Sequence, residues 1–238
     1  MATKFLYRRR VTLAGMLANL NRHDFEADSL EELLYGIRGM IQKSTKRMNA
    51  LDDSDDDRGP DIVAEENKLI DSLLGCAFVL CQTHITAIAI GVVLAGKRGL
   101  QINGAGERNT AIKLGTGASQ KIIASIELAA NYFKHNEEWM TKRQGKGGNQ
   151  RRVWIKTAGL QKDKKTPKDV PGRKTIGLAE KIGLAPGESN NISTLAALLE
   201  INASDDYEGL PALAGKLKVW HAEMLDIVAN APEIQKAP

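Results

Sequence analysis

Residues 73–95 read LLGCAFVLCQTHITAIAIGVVLA, and how this run is interpreted decides the fold. It is long enough to cross a bilayer. Yet Gln82, Thr83, His84 and Thr86 stand near its centre, where polar groups are expensive in lipid. A central helix buried inside a bundle accounts for it better, so no membrane association is expected. Upstream of residue 73 the pattern turns amphipathic, and one long helix is predicted from about residue 61 to about 94.

Working outward, the flanking patterns are also helical. In 5–21, Leu6, Leu13, Met16, Leu17 and Leu20 recur at helical spacing. Ser29 then reads as an N-cap with Glu31 and Glu32 in the first turn. Leu30, Leu33, Leu34, Ile37, Met40 and Ile41 give a second helix its apolar face, to about residue 48. LDDSDDDRGP at 51–60 reads as a solvated acidic linker, because it lacks the rest of a calcium loop. Residues 96–117 hold six glycines, at 96, 99, 104, 106, 115 and 117. No strand precedes Gly104-x-Gly106 and no Lys-Ser/Thr follows it, so a nucleotide loop is disfavoured against a connection or short hairpin. A further helix is predicted over 118–141, buried through Ile122, Ile123, Ile126, Ala129, Ala130 and Phe133. After it, 142–174 carries Lys142, Arg143, Lys146, Arg151, Arg152, Lys156, Lys162, Lys164, Lys165, Lys168, Arg173 and Lys174 against two aspartates. Its glycines and prolines mark much of it as loop. Helical patterning resumes over 175–182, 192–201 and 208–229.

The expected fold class is therefore all-α: a bundle of long antiparallel helices over 1–141, a basic loop-rich segment over 142–174, and C-terminal helices over 175–238 packed on the same bundle. Composition agrees: 42% apolar and 26% charged residues are ordinary for a globular chain, and aromatics are only 5%. MATKFLYRRR has no long apolar core after its basic residues, so it is not read as a secretory signal. Cys76 and Cys81 are read as buried free thiols of a reducing compartment, and the expected location is cytoplasmic. No Cys/His set has zinc-site spacing, so no metal or cofactor is expected. His84 reads as a core histidine, His221 as packing or capping near the C-terminal helix, and His23 as a loop residue.

One segment combines groups able to do chemistry. On a helix, Glu127, Asn131, Lys134/His135 and Glu138 follow at spacings of three and four and share a face. A neutral imidazole at His135 can accept the proton of a ribose 2′-hydroxyl. The Lys134 ammonium can offset charge growing on a phosphate, and Asn131 can orient either partner. DNA lacks the hydroxyl and would be spared. The blander alternative is a salt-bridged surface. The basic stretch fits a nucleic-acid partner, with Arg143, Lys146, Arg151, Arg152 and Lys156 for phosphates and Trp154 for stacking; its alternative is a solvated linker.

The run 129–139, AANYFKHNEEW, following a long helix and a connection, resembles the HEPN superfamily of all-helical proteins over roughly residues 61–140. The family motif is an Arg, usually a polar residue such as Asn, a short spacer and a His. Asn131 and His135 match the last two, while the Arg position falls on Ala130 and Lys134 supplies a positive charge. The resemblance implies a metal-independent ribonuclease, or an RNA-binding component, of a bacterial stress, toxin–antitoxin or antiphage system. It also implies a homodimer whose motif helices meet in one cleft, and a possible antitoxin or defence-complex partner. The rival expectation, from Ala130, is a catalytically inactive module that binds a protein or nucleic acid.

Overall fold

The computed structural model describes residues 13–52, 59–135, 141–144, 151–154, 173–184 and 191–232. The fold is all-α, as expected. Its helices are α1 (Leu13–Asp52), α2 (Gly59–Lys97), α3 (Arg108–Ala111), α4 (Gly117–His135), α5 (Arg173–Lys181), α6 (Asn191–Ala197) and α7 (Gly209–Ala229). Between α4 and α5 lie two short strands, β1 (Thr141–Gln144) and β2 (Arg151–Trp154).

α1 is continuous where the sequence suggested two helices. Its buried stripe runs Met16, Leu20, Ala27, Leu30, Leu34, Ile37 and Ile41. Only the position between Leu20 and Ala27 breaks the apolar 3–4 spacing, and His23 fills it. The polar NRHDFEADS segment hides this periodicity, so Ser29 is an exposed mid-helix residue and not a cap. His23 is accordingly helical, which corrects its assignment to a loop.

α2 crosses α1 antiparallel: Leu20 lies over Gly91 at one end, and Ser44 and Arg47 reach Glu66 at the other. A Cβ on Gly91 would come within 2.5 Å of a Leu20 methyl, so a larger residue here would push the Leu20 side chain aside. α7 packs on α1 and α2, and α4 lies on α2. One continuous apolar core includes Leu20, Leu34, Phe78, Ile85, Ile126, Leu195 and Trp220.

α2 is long and apolar enough, by length and composition, to cross a membrane, and 61% of its most apolar window is buried in the bundle. Its outer face stays apolar at Leu69, Ile90 and Leu94. Leu69, Leu73, Cys76, Leu80, Thr83, Ala87, Ile90 and Leu94 follow there at alternating spacings of four and three, the seam pattern of a coiled coil.

Residues 98–116 contain turns and α3, and form no hairpin. Trp220 Nε1 donates to the Leu114 carbonyl at 3.0 Å and pins the segment to α7. By contrast, part of the basic stretch read as loop is a hairpin, with Thr141 opposite Trp154 and Arg143 opposite Arg152.

Candidate functional site

α4 meets α2 along a polar strip set in an apolar interface. Gly75 allows it. The Phe133 ring lies against the bare backbone of Gly75, where a Cβ would come within 2.0 Å of the ring. With the helices that close, Gln82 of α2 faces α4 and is buried. Its amide nitrogen donates to Glu127 Oε2 and Asn131 Oδ1, each at 3.1 Å, and its carbonyl oxygen accepts from Lys134 Nζ. One side chain thus satisfies both faces of its amide on three residues of α4.

The strip continues toward α3. Arg108 forms an ion pair with Glu127 and donates to Thr86 Oγ1, through Nε at 3.1 Å and Nη2 at 2.8 Å. Glu127 is nearly buried, so this guanidinium offsets a carboxylate that would otherwise be costly inside the fold.

The expected common face of Glu127, Asn131 and Lys134 therefore exists, but it points at α2. Gln82 and Arg108, which complete it, were not assigned to it from sequence. Their signals were present: an amide in the most apolar helix, and an arginine in a glycine-rich connection. Neither has a periodic relation to α4.

His135 is the last residue of α4, one turn beyond Asn131, and is half-buried. Lys134 is exposed apart from its bond to Gln82. Ala130 is fully buried in the core. An arginine side chain would have no room at this position. Arg108 does not stand in for it at His135. It pairs at the level of Glu127, eight residues down the helix, or about 12 Å at 1.5 Å per residue. Tyr132, beside the motif residues, is a core residue whose hydroxyl accepts from Asn191 Nδ2 at 2.6 Å.

Of the nucleic-acid candidates, Arg143, Arg151, Arg152 and Trp154 have backbone positions in the hairpin. Lys146 and Lys156 lie outside the described residues, as do Glu138 and Trp139. Among the described residues no group of three acidic, histidine or cysteine side chains stands ready to hold a metal ion. Cys76 is exposed and Cys81 buried, which corrects the expectation that both are inside; both are free thiols.

At the far end of α4, Glu223 of α7 accepts from Thr116 N at 2.9 Å, Thr116 Oγ1 at 2.8 Å and Ser119 Oγ at 2.9 Å. Burial pushes its carboxyl up. These hydrogen bonds outweigh burial and hold it below the ordinary carboxylate value.

No family model, curated protein or solved structure matches this chain.

Proposed function

We propose that the chain is a HEPN-like RNA-cleaving or RNA-binding component of a bacterial stress or antiphage defence system, with its chemistry at the C-terminal end of α4. The observation that carries this reading is the hold of Gln82 on both Asn131 and Lys134 beside His135. An amide and a cation fixed by a buried neighbour are preorganised for a phosphate, which surface groups on a mobile helix end are not.

In this reading His135, as the neutral imidazole, takes the 2′-hydroxyl proton. The 2′-oxygen then bonds to the adjacent phosphorus, the bond to the 5′-oxygen breaks, and the leaving oxygen is protonated by the imidazolium. The products are a 2′,3′-cyclic phosphate and a 5′-hydroxyl. Lys134 offsets the charge on the phosphate and Asn131 orients it. The cations of 142–174 hold the rest of the strand, with Arg143 and Arg152 at opposed positions of the hairpin. A second copy of the chain belongs to this reading. In this reading the apolar seam on the outer face of α2, which runs beside Gln82 and Thr86, packs against its own copy across a two-fold axis.

A second reading is favoured by two observations: Lys134 is already engaged by Gln82, and Ala130 is in the core. In it the strip only fastens α4 to α2, and the chain is a binding module without chemistry.

Purified protein incubated with total RNA in EDTA separates the two. Cleavage to 2′,3′-cyclic ends is expected, and His135→Ala should lower its rate by about 10²–10⁴-fold, the usual contribution of a general base. No cleavage by either protein, or equal cleavage by both, would favour the binding module.

A further inference from the structure

Three of the four histidines in the chain meet at one level of the bundle, on the opposite side of α2 from the α4 strip. His23 of α1, His84 of α2 and His221 of α7 form a nearly equilateral triangle. Their ring centroids are 6.4, 6.3 and 6.4 Å apart, with interplanar angles of 88°, 67° and 87°. Each histidine occupies a position that the apolar stripe of its own helix would otherwise fill. His23 falls between Leu20 and Ala27, His84 between Cys81 and Ile88, and His221 between Leu217 and Met224, all six flanking residues being buried. His84 is 6% exposed and His221 fully buried. A core layer of this kind is where three helices aim side chains at a common axis.

We propose that His23, His84 and His221 bind one divalent late first-row transition-metal ion, zinc foremost, as a three-nitrogen site that ties α1, α2 and α7 together. Neutral imidazole is the ligand type that suits such ions. Glu26 supplies a second observation. One of its carboxylate oxygens lies 2.5 Å from His23 Nδ1. In the neutral tautomer that donates from Nδ1 to this carboxylate, Nε2 is the nitrogen left to bind a metal ion. This is the carboxylate–histidine arrangement that fixes tautomer and ring direction at metal sites.

With zinc–nitrogen bonds of about 2.0–2.1 Å, three imidazoles on one ion have centroids roughly 5–5.5 Å apart. The triangle is therefore wider than a loaded site by about 1 Å per side, a change within reach of small side-chain rotations. As the rings stand, no group of three donors among the described residues is placed to hold a metal ion, so binding requires these rotations. Three neutral ligands leave a fourth position, and the Glu26 carboxylate offsets part of the ion's charge. Gln82 and His84 are two residues apart on α2, so their side chains diverge by about 200°. The inference therefore does not depend on the function assigned to α4.

The test uses the full chain, stripped with chelator and dialysed. Titration with Co²⁺ should give the visible bands of a low-coordinate cobalt–imidazole site at one ion per chain, displaced by Zn²⁺. Zinc at about a hundredfold its dissociation constant should raise the melting temperature by roughly 5–10 °C. His23→Gln, at a partly exposed position, should abolish that rise while the helical circular dichroism persists; His135→Ala should bind as the parent does. Should His23→Gln fail to fold, X-ray absorption on the zinc-loaded parent should still count three imidazoles on the ion. Absence of binding by the parent, fewer than three imidazoles, or loss of binding in His135→Ala but not in His23→Gln would overturn the proposal and leave the layer as edge-to-face ring packing.

Discussion

Gln82 and His84 stand two residues apart on the most apolar helix of the molecule, and each marks a different kind of interior. On the Gln82 side, α2 meets α4 with α3 at the end of the strip, and the polar groups form a chain of hydrogen bonds from Lys134 through Gln82 and Glu127 to Arg108. On the His84 side, α2 meets two helices, and the polar groups are like rings around a common centre. Complementary groups in a strip can satisfy one another. Three imidazoles gathered around one centre repeat a single chemistry instead, and one shared ligand can bridge such a set. A polar residue in an apolar helix therefore reports on the number and kind of helices that face it.

The largest effect that sharpens this contrast is expected at Arg108. Removing its guanidinium leaves the Glu127 carboxylate nearly buried with Gln82 as its remaining partner in the strip, and frees Thr86 Oγ1. Breaking one side of an ion pair in such surroundings costs about 2–4 kcal/mol, so urea denaturation of Arg108→Ala should show a loss of that size. Lys134→Ala, at the exposed end of the same strip, should cost less than about 1 kcal/mol. The Arg108→Ala/Glu127→Leu double variant should regain much of the loss, because the stranded charge is gone. A loss in Arg108→Ala no larger than in Lys134→Ala would mean that the strip is a solvated surface, and the contrast with the histidine layer would collapse.

The two sides differed in how far they could be read from sequence, for a physical reason. The face of α4 was legible because Glu127, Asn131 and Lys134 are related by the helical repeat, which needs only local geometry. Residues 23, 84 and 221 are related only by the crossing of three helices, and no spacing expresses that. His23 even reads as a loop residue, because the polar residues around it mask a stripe that it completes itself. The all-α class and the approximate limits of α2 and α7 were legible from long apolar periodicity. The hairpin was not, because Gly- and Lys-rich composition outweighed the weak strand preference of two four-residue segments. The inward direction of the α4 strip was hidden too, since it depends on Gly75 bringing α2 close enough for Gln82 to reach.

A smaller effect is expected where α4 and α7 are joined. Glu223 on α7 holds Thr116 and Ser119 at the start of α4, so it links the helix of the strip to a helix of the histidine layer. Its carboxyl lies below the ordinary value when folded. The stabilisation is therefore present in full above the unfolded value, near 4.5, and is lost as pH falls through the folded value. Glu223→Gln keeps one acceptor, and after screening at a part-exposed site it should cost about 1 kcal/mol at neutral pH. Melting curves should show the gap between the two proteins widest above pH 5 and shrinking below about pH 4.5. A gap that stays constant down to pH 3 would mean that the charge on Glu223 contributes nothing to the joint.

The smallest effect leaves stability unchanged and reads solvent access on the two sides of α2 directly. Cys81 lies three residues before His84, facing the packed interior, and burial pushes its thiol up to about 12. Cys76 is exposed on the outer seam. Only the thiolate reacts, so an alkylating reagent at neutral pH should label one thiol per chain quickly, and Cys76→Ser should remove that fast phase. Labelling of Cys81 should proceed only as fast as the α1–α2–α7 side opens, because buried groups react through unfolding or local opening. If the histidine layer binds zinc, the metal should slow the Cys81 phase and leave the Cys76 phase as it was, since it clamps one side of α2 and not the other. Equal slowing at both thiols would point to a general tightening of the bundle, and no slowing at either would remove the distinction between a clamped face and an open one.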